Sequence, residues 1–267
     1  MPAHLSPDQL STLIAQLRDA GCVFAEDEAQ LIVSAARTAA NAAAMAGQRA
    51  AGLPLEHVVG WAEFCGLRVA MDPHVVVPRR RSEFLVHQAA ALAALAGDAP
   101  SPVVVVDLCC GSGAIGAGVA ASLGAVELHA CDIDPAAVRC ARRNVAAFGG
   151  RVYLGDLYHP LPAALRGRVA FLLANAPYVP TDGLGLLPAE ARLHEPPAAL
   201  DGGPDGLAVL RRVAAGARAW LAPRGYLLVE TSEGQAPRMA AAMAGAGLAP
   251  RTAHSSELAA TVVIGTR

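Results

Sequence analysis

Asn175-Ala176-Pro177-Tyr178 combines residue types that can hold a planar nitrogen for methyl transfer. An amide or exocyclic amino nitrogen is a poor nucleophile because its lone pair is delocalised. A catalyst must therefore grip the NH2 hydrogens and aim that lone pair at an electrophilic methyl. Asn175 offers a side-chain acceptor and Ala176 a backbone carbonyl as the second. Pro177 stiffens the turn by fixing its own φ and restricting its neighbour, and Tyr178 offers a flat face for stacking. The same four residues could also form an ordinary strand-to-loop turn, so the rest of the chain has to decide.

Upstream, Val103 to Val106 is an unbroken β-branched run, as expected of a parallel strand buried on both faces. It runs into Asp107-Leu108-Cys109-Cys110-Gly111-Ser112-Gly113-Ala114-Ile115-Gly116. Gly111 and Gly113 allow positive φ and a close approach of backbone to ligand, and Gly116 allows close packing of the helix that follows. Dinucleotide enzymes share this glycine pattern. Asp107 shifts the balance, because a carboxylate there can order the loop around a cationic amino-acid moiety. The stretch resembles the first motif of class I S-adenosylmethionine-dependent methyltransferases.

A second strand, Val126 to Ala130, leads to Cys131-Asp132-Ile133-Asp134-Pro135. Asp132 lies about twenty residues beyond the glycines, where a carboxylate can accept both ribose hydroxyls. Asp134 reads as a helix N-cap with Pro135 at the first helical position. A third strand, Arg151 to Leu154, ends at Gly155-Asp156-Leu157. There Asp156 could accept from an adenine amino group and Leu157 could pack on the ring, or Asp156 could be a plain turn residue.

Together these motifs resemble the HemK/PrmC family of protein glutamine-N5 methyltransferases. The resemblance extends upstream to Arg49 through Gly60, Glu63 through Leu67 and Val77-Pro78-Arg79, and downstream to Leu193 through Leu207, Glu230 and Gln235. It implies a class I seven-stranded mixed α/β sheet, S-adenosylmethionine as cofactor and no metal. The implied acceptor is a protein glutamine, in that family the glutamine of the Gly-Gly-Gln motif of peptide chain release factors. Carried over by position, Asn175, Ala176, Pro177 and Tyr178 are catalytic. Asp107, Gly111, Gly113, Asp132, Asp156, Leu157 and Asn175 bind the cofactor. Two departures stand out. Ala176 replaces a proline in Asn-Pro-Pro-Tyr, which keeps the carbonyl but loosens the turn. Pro78-Arg79-Arg80-Arg81-Ser82-Glu83 stands where the family reads Pro-Arg-Pro-Glu-Thr-Glu, which inverts the loop charge and leaves the acceptor open.

Rival readings are a nucleic-acid adenine-N6 or cytosine-N4 methyltransferase, which needs the same corner, and a non-catalytic cofactor-binding interaction protein, for which the corner has no purpose. A nicotinamide oxidoreductase explains the corner no better. A formal charge of −2 and the lack of a basic, aromatic-rich domain speak against nucleic acid as direct substrate.

The elements that must position these residues follow from pattern. Ser6 caps a helix to about Ala20, and Glu26 to about Ala46 reads as one long alanine-rich helix. A short helix follows Pro54, then Glu63 to Ala70 and His74 to Val77 read as the two arms of a hairpin. Helix returns over Ser82 to Leu95, and Asp98-Ala99-Pro100-Ser101-Pro102 breaks it. This divides the chain into a helical N-terminal domain (1–60), a hairpin linker (61–81) and a methyltransferase domain (82–267). Val179 to Pro204 is too long for a mere connection and is expected to cover the site. Tyr226 to Thr231 and Ala260 to Gly265 read as an antiparallel pair, with a last helix over Pro237 to Ala246.

At 267 residues and 54% hydrophobic, the chain can bury one large core and a small accessory unit. All 21 basic residues are arginine. Arg79-Arg80-Arg81 reads equally as an interaction patch or a solvated run. The six cysteines and eight histidines show no metal or redox spacing, and His194 is the one histidine beside the expected site. The amino terminus does not resemble a signal peptide, and no apolar run is long enough to span a bilayer, which predicts a cytoplasmic protein.

Overall fold

The computed structural model describes residues 3–96 and 102–267. The predicted break at Asp98–Ser101 lies outside them. Four helices come first: α1 Pro7–Asp19, α2 Ala25–Ala35, α3 Ala39–Ala50 and α4 Leu55–Val59. Ser6 caps α1 reciprocally with Gln9 in a capping box. The long helix expected over Glu26 to Ala46 is two helices. Ala36 turns to extended backbone, and Thr38 accepts from the Asn41 amide to cap a new start, so a polar cap outweighs alanine propensity. Leu17, Ala29, Ile32, Ala42 and Ala46 bury themselves in this layer's own core.

The hairpin consists of β1 Trp61–Phe64 and β2 Leu67–Ala70, paired antiparallel through the tight turn at Cys65-Gly66. The hairpin therefore closes within the first predicted piece, with β1 starting two residues before it at Trp61, and His74 to Val77 is irregular chain. Val75 and Val77 are buried there without sheet partners, so burial rather than pairing explains their apolar character. Helix α5 spans Glu83–Ala96.

The remaining elements are β3 Val103–Leu108, α6 Ala114–Leu123, β4 Val126–Asp132, α7 Pro135–Val145, β5 Arg151–Leu154, β6 Val169–Ala174, α8 Ala189–His194, α9 Ala208–Trp220, β7 Leu221–Thr231, α10 Ala236–Gly245, β8 Ala249–Ser255 and β9 Ala260–Thr266. The strands form one seven-stranded sheet in the order β5-β4-β3-β6-β7-β9-β8. The first five are parallel, and β9 runs antiparallel to both β7 and β8. Side chains of β3 alternate between two apolar layers: Val105 faces α5 and α6 on one side, while Val104 and Val106 face α9 and α10 on the other. Strand β8 escaped the sequence reading because most of it is exposed at the sheet edge and carries no buried apolar alternation.

The sheet order changes direction at β3 and β6. Chain leaving β3 turns to α6 on one face, whereas chain leaving β6 turns the other way, so a crevice opens at their carboxyl ends. Asp107 and Asn175 lie at those two strand ends.

Candidate active site

A cleft of about 740 Å³ lies over that crevice. One end is walled by the glycine turn Cys109–Ala114 and by Asp132, Ile133 and Asp134. The other end holds Asn175 to Val179 with Arg79, Arg81 and Ser82, and residues of the 187–200 segment close the flank.

At the glycine end, Gly111 and Gly113 both adopt positive φ, +53° and +78°. A Cβ at Gly111 would meet no atom within 4 Å, so the turn presents bare backbone to the cleft. Gly113 is tight against Ala141 and Val145, and a Cβ at Gly116 would come within 3.0 Å of Asp107 Oδ2. Gly113 therefore lets the turn pack against α7, and Gly116 lets α6 pack against β3. Cys109 also adopts a left-handed φ of 55°, a strained position for a side-chain-bearing residue.

Asp132 joins β4 to the turn. Its Oδ2 accepts from the Gly111 amide and its Oδ1 from the Asp134 amide, both at 2.9 Å. Each carboxylate oxygen has a further lone pair, so ribose hydroxyls can still be accepted. Asp134 caps α7 by accepting from the Ala136 amide, as its sequence context predicts. Asp107 is fully buried behind the turn. Oδ2 accepts from the Gly116 amide at 2.9 Å, and Oδ1 has no partner. Burial pushes its carboxyl up to about 7, the Gly116 bond opposing and the Asp132 charge adding to the rise.

Asp156 and Leu157 do not line the cleft. Asp156 is ion-paired to Arg212, and Leu157 is buried in the core. The apolar surface at this end is Ile133, 65% exposed. Sequence order put Leu157 on the ligand side of a strand end. In the fold it packs inward, and its carbonyl is held by the Cys131 thiol.

At the corner end, the Asn175 Nδ2 donates to Ser82 Oγ at 3.1 Å. That bond turns Oδ1 away, and no donor among the described residues reaches Oδ1 or the Ala176 carbonyl. Two free acceptors thus sit on consecutive residues. The Tyr178 hydroxyl donates to Glu230 Oε1 at 3.1 Å, and burial pushes that phenol up to about 12. Gln235 Nε2 donates to the Tyr178 and Asp205 carbonyls at 2.8 and 3.1 Å, pinning the corner from behind. The backbone of Val179 meanwhile pairs with Leu200 and Gly202.

Two participants escaped the sequence reading, and a third, Arg81, belongs to the arginine run whose role the sequence left open. Ser82 stands 93 residues from its partner, and no local pattern announces it. Glu195, rather than the adjacent His194, enters the cleft. It accepts from the Val77 amide and from Arg79, and its Oε2 is buried without a partner. Arg81 donates through Nε to buried Glu230 at 3.2 Å. Away from the cleft, Cys65, Glu83 and His87 come within 4.8 Å of one another, a grouping that spacing did not reveal. Burial holds that thiol protonated, at about 12.

S-adenosylmethionine fits the glycine end by two features, bare backbone at Gly111 and spare acceptor capacity on Asp132, whereas Asp107 stays fully buried behind the turn and does not line the cleft.

The chain is similar to known methyltransferases. The model of the methyltransferase small domain family matches residues 88–212. A release factor glutamine methyltransferase of Geobacter sulfurreducens is 37% identical over 72% of this chain, and the chain spans 65% of that protein, just under two thirds. The corresponding protein of Moorella thermoacetica is 39% identical over 74% of this chain and 70% of its own length. A 4-amino-L-phenylalanine/4-methylamino-L-phenylalanine methyltransferase of Streptomyces pristinaespiralis is 37% identical over 66% of this chain and 60% of its own. Among solved structures, the 16S rRNA N2 G1207 methyltransferase of T. thermophilus, in complex with AdoMet and guanosine, superposes with a TM-score of 0.53 at 18% identity, over 78% of this chain and 49% of that one. At that identity the likeness concerns the fold, which is that of class I methyltransferases.

Proposed function

The chain belongs to the release factor glutamine methyltransferase family, and on that premise we propose that it methylates the side-chain amide nitrogen of a protein glutamine, in the Gly-Gly-Gln motif of peptide chain release factors. The observation that carries this reading is the pair of free acceptors, Asn175 Oδ1 and the Ala176 carbonyl, held on one rigid corner. S-adenosylmethionine, bound over Gly111, Gly113 and Asp132, supplies an electrophilic methyl on a sulfonium.

The chain's own residues do the positioning. Asn175 and Ala176 accept the two amide hydrogens, which fixes the NH2 plane and points the nitrogen's out-of-plane electron density down the cleft. Ser82 keeps Asn175 from rotating its acceptor away. Tyr178, tied by Glu230 and Gln235, gives the amide a flat wall. Alignment and placed dipoles supply the acceleration, and the sulfonium is a good leaving group, so no strong base is needed before transfer. The proton leaves the methylated nitrogen afterwards. Release factors as acceptors place the reaction in the cytoplasm. Among the described residues no helix is long and apolar enough to cross a membrane.

A second reading is a small amino-acid acceptor, favoured by the Streptomyces relative, whose named substrates carry an arylamine. One experiment separates the two. Release factors are incubated with the protein and S-adenosylmethionine, digested and weighed by mass spectrometry, beside the Asn175→Ala variant. One added methyl on the Gly-Gly-Gln glutamine is expected, falling about 10²- to 10³-fold in rate with the variant, while calorimetry finds its cofactor affinity within about twofold of wild type. An unmodified release factor, with cofactor binding confirmed, sinks the release-factor acceptor.

A further inference from the structure

We propose that Arg81 selects the acceptor by binding the main-chain carboxyl or carbonyl oxygen of the very glutamine whose side-chain amide sits at Asn175. This rests on the glutamine reading above and adds a residue that the reading does not require.

Three observations place it. Arg81 lines the cleft next in sequence to Ser82, which holds Asn175. Its Nε is committed to Glu230, a carboxylate 2% exposed, and its guanidinium carbon lies 6.0 Å from the centre of the Tyr178 ring. Among the described residues the Tyr178 hydroxyl is the one further group its guanidinium meets, and no carbonyl or second carboxylate takes its terminal nitrogens. A guanidinium anchored by Nε on a buried anion is fixed in orientation and offers its remaining donors as a fork, the arrangement that suits a carbonyl or carboxylate oxygen. Covalent geometry puts a glutamine's main-chain carbon on the order of 5 Å from its side-chain amide carbon. An amide seated on Asn175 and Ala176 therefore keeps its own main chain close to the corner, in the cleft that Arg81 also lines.

The neighbouring arginines do not compete. Arg79 is consumed by Glu195, and Arg80 points to solvent. The run that looks uniform in sequence is thus divided by the fold into one strut, one free surface charge and one oriented donor.

The test uses the protein filled with S-adenosylhomocysteine and two probes. N-acetyl-L-glutamine carries a free carboxylate, and N-acetyl-L-glutaminamide carries only a peptide-like carbonyl. Binding is measured by ligand-observed NMR titration for wild type, Arg81→Gln, Arg81→Lys and the double variant Arg81→Gln/Glu230→Gln, which leaves no unpaired buried charge. Loss of about tenfold or more in affinity for at least one probe on Arg81→Gln, repeated in the double variant, is expected. Arg81→Lys, which keeps charge but loses the fork, should recover only part.

A carboxylate probe that binds wild type about tenfold more tightly than the amide, with the difference lost in Arg81→Gln, identifies a free amino acid or chain terminus. Equal weakening of both identifies an internal peptide carbonyl. Unchanged affinity for both probes in Arg81→Gln, or no binding of either to wild type, overturns the proposal. Cofactor affinity serves as the folding control for every variant. Failure of the release-factor assay with this probe pattern intact would discard that substrate and leave Arg81 its role.

Discussion

At the scale of single residues, the corner depends on side chains that only the fold brings together. Ser82 contributes one hydrogen bond, which tethers the Asn175 amide and restrains its rotation. Ser82→Ala should lower turnover about tenfold, because the Asn175 side chain loses its tether and holds the acceptor less well aligned, while cofactor binding stays as in wild type. Proportional loss of both would make Ser82 a packing residue instead. Asp107 gives a pH signature. Burial raises its carboxyl to about 7 in the folded protein against an ordinary 3.8. The folded state therefore holds the proton more tightly than the unfolded one. The stability this contributes is fully present below pH 3.8 and is lost as pH rises through 7, by roughly 2–4 kcal/mol in the ligand-free protein. Asp107→Asn keeps an acceptor for the Gly116 amide and does not ionise. Its melting temperature relative to wild type should climb between pH 4 and 7 and then level off. A constant difference across that window would show that Asp107 is not buried as an unpaired acid.

At the scale of elements, the Asn175–Tyr178 corner is braced by the chain that follows it. Gly206 sits at φ +73° under the Tyr178 carbonyl and the Gln235 amide, with no room for a Cβ, and a Cβ at Gly202 would fall 2.6 Å from the Gly206 carbonyl. Gly206→Ala should cost about 3 kcal/mol or more in urea unfolding, and should impair turnover through the displaced corner. A loss below about 1 kcal/mol would mean that the corner yields easily. These braces explain what was legible in the sequence and what was not. Strands β3, β4, β5 and β6 were readable because their apolar runs end in glycines, acids or Asn-x-Pro, all local signals. The break between α2 and α3 was not, since Thr38 competes with a helical alanine background that masks it. Strand β8 was invisible because it pairs through backbone while its side chains face water. The positions of Asp156 and Leu157 depended on which way a left-handed residue at φ 49° turned the chain, and no residue spacing encodes that.

At the scale of the whole molecule, two side chains tie the helical layer to the cleft: His57 of α4, whose Nε2 donates to the carbonyl of the cleft residue Val75 at 2.8 Å, and Arg49. Arg49, near the end of α3, pairs with Glu28 of α2 at 2.6 Å and with Glu190 of α8 at 3.1 Å, and also donates to the Leu53 carbonyl. Glu28 is 12% exposed, so the pair is partly desolvated and its loss should cost more than that of a surface bridge, about 1–3 kcal/mol. Glu190 and Ala191 line the cleft flank. Arg49 therefore links the N-terminal helices to the flank of the cleft, while among the described residues Gly111, Gly113 and Asp132 make no such link to those helices. Arg49→Ala should accordingly leave cofactor affinity unchanged and raise KM for a protein acceptor several-fold. It should also hasten the first proteolytic cut within residues 181–199, because a segment released from its anchor opens more often to the protease. Limited proteolysis with mass mapping, run beside steady-state kinetics, reads both effects. If the cut is no faster while KM rises, Arg49 touches the acceptor itself. If neither changes, the helical layer and the cleft are energetically independent despite the bridge.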